Sequence, residues 1–229
     1  MRARLLIKHE LYLLYKYGIL YAYLIFTIFY AVLLSAIPES AKETTGIILV
    51  LTDPAAMGLF FMGAIILLEK SQHAHCSLAV TPITQMEYIW AKLISLSLFG
   101  LAVGLLVGVC AGIRQLASLS IAILLASILM SMCGLIVACK TSSLNQFLIA
   151  TVPFEIVIFI PALLYLFDLL QSDLWLLHPG VASIRLILGG NSLQTVVSLI
   201  SLCTFDFFVF VLCKRSVKQY FCQMEGGTL

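Results

Sequence analysis

Charge is what this sequence has least of. Asp, Glu, Lys and Arg together make 10% of its 229 residues, against about 25% in an ordinary soluble domain. With 62% hydrophobic residues and a mean hydropathy of +1.11, that scarcity excludes a water-soluble globular domain and a disordered chain alike. Neither sign dominates: 13 Lys and Arg stand against 11 Asp and Glu, which leaves no basic footprint for nucleic acid. Catalytic signatures are missing as well. There is no G-x-x-x-x-G-K-[ST] to cradle phosphates and no G-x-S-x-G elbow. His9-Glu10-Leu11-Tyr12-Leu13 begins like a zinc motif, but Leu13 stands where the second histidine belongs. His73 and Cys76 share a helix face that His75 leaves, and no fourth ligand is near, so no metal site is read there. The seven cysteines include no C-x-x-C and avoid the expected outer loops, which reads as free thiols.

What is present is long apolar runs. A helix needs roughly 20 residues to cross a bilayer, and the runs predict six spans, at 18–37, 46–68, 92–112, 116–138, 147–169 and 193–213. None alternates with period two, which excludes a membrane β-barrel. The first run is too long for a signal peptide and lacks an A-x-A site, so it is expected to stay as an anchor. With the N-terminus inside, ten of the 13 Lys and Arg fall on the inner side and only Lys42, Arg114 and Arg185 on the outer, so both termini are expected in the cytoplasm.

Individual segments add detail. In residues 1–16, Leu6, Ile7, Leu11, Leu13 and Leu14 fall on one side among Arg2, Arg4, Lys8 and Lys16, a pattern expected of an interfacial helix on the inner leaflet; Glu10, Leu5 and Tyr12 interrupt it. Gly100, Gly104, Gly108 and Gly112 recur at spacing four, a bare stripe for close helix packing. Asp53-Pro54 reads as an N-cap and first helical residue, so the second span is expected to break there; a substrate or proton role for Asp53 is the other reading. Glu155 and Asp206 lie about 12 and 10 Å from the inner ends of their helices at 1.5 Å per residue. Each must face protein or water, either lining a pathway or bonding a neighbouring helix as a neutral carboxyl. Pro153 and Pro161 predict a kink around Glu155. Residues 171–192 are too apolar for a free loop and too short to cross twice, which predicts a re-entrant pair of short helices broken at His178-Pro179.

The segment from Glu69 to Lys92 reads as a rigid elbow: a helix running past Glu69, a turn at Thr81-Pro82, and a second helix capped by Thr84 with Glu87 three residues on. Its order of an acidic residue at the membrane exit, a Thr-Pro turn, then Glu87-Tyr88 and Lys92 resembles the coupling region of ABC-2 type transporter permeases. Asp53-Pro54, the Gly58 and Gly63 pair and Glu69-Lys70 are similar to small fluoroquinolone-export-like members. His75-Cys76-Ser77-Leu78 departs from the Gly-Thr-Leu that many members carry there.

The resemblance implies an all-α permease fold with an interfacial N-terminal helix, six spans and a re-entrant loop before the last. It implies that Glu69, Thr81, Pro82, Glu87 and Lys92 couple to a separate ATP-binding subunit. ATP and Mg would bind that partner, this chain holding no cofactor or metal and having no enzyme site of its own. A second permease copy, identical or related, would complete an exporter in the plasma (inner) membrane for an amphipathic small molecule, lipid or peptide. The residues leave three other readings open: a carrier driven by protons through Asp53, Glu155 and Asp206, a membrane scaffold subunit, and, least supported, an intramembrane enzyme.

Overall fold

The computed structural model describes residues 2–52, 56–72, 84–170, 172–189 and 191–226, with side chains described within 5–221. Every regular element among them is helical: α1 (Arg2–Lys16), α2 (Ile19–Ala36), α3 (Glu39–Val50), α4 (Ala56–Ser71), α5 (Gln85–Cys110), α6 (Leu116–Lys140), α7 (Leu144–Leu166), a 3-10 helix (Asp173–Leu177), α8 (Pro179–Leu188) and α9 (Ser192–Gly226). Five of these, α2, α5, α6, α7 and α9, are long and apolar enough to cross a membrane. The chain is a membrane protein built of transmembrane helices.

The expected second span does not appear as one rod. It is divided between α3 and α4, each shorter than a full crossing. The helix widens into a π turn at 51–52, just ahead of Asp53-Pro54. Proline has no N–H to donate and pushes the preceding residue out of helical geometry. Residues 53–55 themselves lie outside the described residues.

The bundle is organised around α6. Of its most apolar stretch 72% is buried, against 22% for α2, α7 and α9. It packs on α4, α5, α7, α8 and α9. The α4–α6 seam is close. A Cβ built on Gly134 would stand 2.4 Å from the Leu59 carbonyl oxygen and 2.9 Å from its Cα, so backbone meets backbone there, and Gly58 answers by facing Ser127 and Ser131. Interhelical close approach through small residues is how helices associate in lipid.

The glycine stripe of α5 divides in function. Gly104 faces Ile123 and Gly108 faces Leu119, both on α6, and Gly100 is buried. Gly112 does not pack: it lies past the end of α5 at φ +80 with open space around it, and serves as the left-handed turn that ends the helix. Gly18, at φ +77, performs the same service between α1 and α2.

The short helices before the last span are present, broken where His178 goes extended ahead of Pro179. α8 is buried along nearly its whole length against α6, α7 and α9. It is held by polar ties at both ends. Ser118 donates to the Leu186 carbonyl, Ser201 donates to the Leu177 carbonyl at 2.8 Å, and Gln194 bridges Arg185 to Asp173. α9 runs well past the expected end at 213, because Cys213, Ser216 and Val217 continue its buried face while Lys214, Arg215 and Lys218 point outward.

Gly134→Ala is expected to destabilise the bundle by about 1–3 kcal/mol, because the added methyl meets backbone that cannot rotate away. Gly112→Ala should cost only about 1 kcal/mol, the penalty of a left-handed non-glycine residue. Thermal unfolding of the two variants in one detergent distinguishes them.

Candidate functional site

The residues flanking the expected elbow converge on a buried charge cluster at one end of the bundle. Lys92, about two turns into α5, has a fully buried side chain. Its ammonium donates to both Glu10 carboxylate oxygens at 3.1 Å and to Glu69 Oε1. These contacts use all three ammonium N–H groups. The Tyr88 hydroxyl, one turn earlier on α5, donates to Glu69 Oε2 at 2.7 Å, and its ring lies 4.9 Å from the Lys92 nitrogen. Glu10 comes from α1 and Glu69 from the last turn of α4, so one cation ties three helices.

Lys70 performs the complementary task on the other side of α4. Its ammonium donates to the carbonyls of Ala138, Cys139 and Thr141 at 2.7, 3.1 and 2.8 Å. It thereby caps the C-terminus of α6, where the unpaired carbonyls and helix dipole favour a cation. It also sits over the Tyr220 ring at 4.8 Å, and Phe221 meets Tyr88 edge-on at 5.7 Å. Glu69 thus ties α4 to α5, and through Lys92 to α1, while Lys70 ties it to α6 and α9. Since α1 and the far end of α9 reach the same cluster, the two terminal segments lie at one end of the bundle.

Burial governs the electrostatics. Two carboxylates face one ammonium in a space from which water is nearly excluded. Burial pushes the Glu10 carboxyl above its ordinary value, against the opposing pull of Lys92 and with further help from Glu69. A proton on Glu10 would relieve the excess negative charge.

The five residues assigned to coupling separate into three kinds. Glu69 and Lys92 are interior and bonded to each other. Glu87 is half-buried and closes the capping box: its carboxylate accepts from the Thr84 N–H and hydroxyl at 2.9 Å each, and its own N–H donates to Thr84 Oγ1 at 3.2 Å. Thr81 and Pro82 lie outside the described residues, as does Asp53.

Glu155 and Asp206 are not brought into this cluster. They sit on α7 and α9, each of which packs against α6 and α8. One carboxyl oxygen of Glu155 and both of Asp206 are buried without a hydrogen-bond partner among the described residues. No group of three or more His, Cys, Asp or Glu suited to a metal occurs among the described residues.

An interfacial helix was expected over residues 1–16, with Glu10 as an interruption. In the structure Glu10 and Leu14 are buried, Leu6, Ile7, Leu11 and Leu13 are half-buried, and α1 packs on α5. Glu10 was therefore the informative residue. An acid on the apolar face of an amphipathic helix needs a buried cation, and Lys92 supplies it. Tyr88 carried no separate signal in the sequence. Neither a protein-family model, a curated protein nor a solved structure matches this chain.

Lys92→Ala leaves two buried carboxylates facing each other and is expected to cost about 3–5 kcal/mol, whereas E10Q/E69Q/K92M, which removes every charge together, should recover most of it. Thermal unfolding in detergent measures both. The pH dependence has a definite sign. Because the folded Glu10 carboxyl is raised above its ordinary 4.5, its contribution to stability is full below that value and is lost as pH rises through the folded one. The unfolding temperature of the wild type relative to E10Q should therefore fall as pH rises from 4.5 towards neutrality. A difference that grows over that interval would contradict the assignment.

Proposed function

We propose that the chain is the permease subunit of an ATP-driven exporter of the ABC-2 type, powered by a separate ATP-binding subunit that docks on the elbow between α4 and α5. One observation carries this reading: both ends of the elbow are anchored in the Glu10–Lys92–Glu69–Tyr88 cluster. A push on a loosely attached loop is dissipated in the loop. A push on this one is delivered to α1, α4 and α5 together, and through Lys70 to α6. Glu69 and Lys92 are then force-bearing positions behind the contact, while Glu87 and the Thr81-Pro82 turn are the candidates for the contact itself.

In this reading α3 and α4 together make the second of six spans, and the short helices before α9 form a re-entrant element. The cluster end faces the cytoplasm, and a second permease copy completes the pathway. Glu155 and Asp206 are its candidate lining. Cargo would be an amphipathic small molecule, lipid or peptide.

The unpartnered oxygens of Glu155 and Asp206 favour one second reading, a proton-coupled carrier. The two part company in vesicles. An exporter subunit captures an ATP-hydrolysing partner when expressed with its genomic neighbours, and the pair transports only with ATP. E87A/P82A should abolish substrate-stimulated ATP hydrolysis while leaving the folded permease intact. Full-rate transport by the purified chain alone, driven by a proton gradient and indifferent to nucleotide, would overturn the proposal in favour of the carrier.

A further inference from the structure

The inward turn of α1 changes what its outer face carries. Glu10 is the only acid in α1, and it is buried against Lys92. The face left outside holds Leu5, Lys8, Tyr12, Tyr15 and Lys16, spaced three and four apart and exposed. That is a strip of cations interleaved with apolar and aromatic side chains, with no acid to offset them. Long cationic side chains and tyrosine rings of this kind favour the headgroup level of a bilayer. The position agrees, because only Tyr17 and Gly18 separate α1 from spanning α2.

Beside this strip a groove of about 290 Å³ opens between α1 and α5, lined by Ile7, Met86, Glu87, Trp90, Ala91 and Ile94. Its lining is apolar but for Glu87, whose carboxylate is engaged by Thr84 in the α5 cap. Trp90 is 44% exposed and its inner side rests on Phe210 of α9, with ring centroids 5.2 Å apart. Lys214 lies one turn beyond Phe210 on the same helix and is exposed. Neither Lys8 nor Lys214 forms an ion pair within the described residues. An apolar slot at a helix–helix seam is thus flanked by Lys8 on α1 and Lys214 on α9.

We infer that the α1–α5 groove seats an anionic phospholipid, one acyl chain lying along Ile7, Trp90 and Ile94 and its headgroup held by Lys8 and Lys214. The apolar length of the slot and its place beside the first span favour a lipid over an acidic peptide, which would need polar partners along the groove. The inference does not depend on the transport reading, since the groove is lined by α1 and α5 alone and α9 only backs Trp90. It makes the seating of α1 on α5, and with it the charge cluster behind, sensitive to the lipid composition of one leaflet.

The chain has two tryptophans, Trp90 and Trp175, so W175F leaves Trp90 as the sole reporter. The full-length W175F protein is reconstituted in phosphatidylcholine vesicles, and its fluorescence is quenched with brominated phosphatidylglycerol or brominated phosphatidylcholine. Each cation near an anionic lipid surface is worth about fivefold in binding. Brominated phosphatidylglycerol should therefore be preferred severalfold at Trp90. K8Q/K214Q should reduce that preference at least about threefold, and raising salt should reduce it in the unsubstituted protein as well. Equal quenching by the two lipids overturns the inference. So does a preference that survives both the double substitution and high salt.

Discussion

A single buried ammonium holds one end of this bundle together. Lys92 has no water to solvate it, and its three N–H groups are satisfied only if Glu10 and Glu69 are brought to it from two other helices. The desolvation of such a group is worth several kcal/mol, so partial satisfaction is not a stable alternative. α1 must therefore dock on α5 through its Glu10 face, and α4 must end where Glu69 can reach. Tyr88 fills the remaining acceptor position on Glu69 and shields the ammonium with its ring. The seating of α1, the end of α4 and the start of α5 all follow from that requirement.

Glu69 and Lys70 extend the constraint across the molecule because adjacent residues on a helix point about a hundred degrees apart. One faces the acidic cluster and the other faces the open carbonyls at the end of α6. α6 is itself the most buried helix, so a displacement felt at the end of α4 reaches the centre of the bundle without passing through a soft connection. The backbone contact at Gly134 and Leu59 makes the same pair of helices rigid further along.

Much of the fold was legible along the chain. Five of the six expected span positions followed from charge-free runs, because an unpaired charge in hydrocarbon is too costly to be scattered at random. The capping box at Thr84 and Glu87, and the break at His178-Pro179, follow from local hydrogen-bonding chemistry that depends on only a few neighbouring residues. The site was legible in part. Glu69, Glu87 and Lys92 were singled out and Glu87 was read as part of the cap, but the burial of Glu69 and Lys92 was not read. Glu10 was read as a flaw in an amphipathic pattern. The orientation of α1 could not be read, because both its faces contain leucines and the deciding partner lies 82 positions away.

What the sequence determined by itself was the class: a helical membrane protein, with its spans, turns and caps, because those depend on transfer free energy and on hydrogen bonds between near neighbours. What only the tertiary structure decided was which charges are hidden and which are shown. Nothing in sequence joins Glu10 to Glu69 and Lys92, and they become one buried network only when three helices meet. Lys8 and Lys16 are charged too, yet they remain exposed, with no ion pair among the described residues.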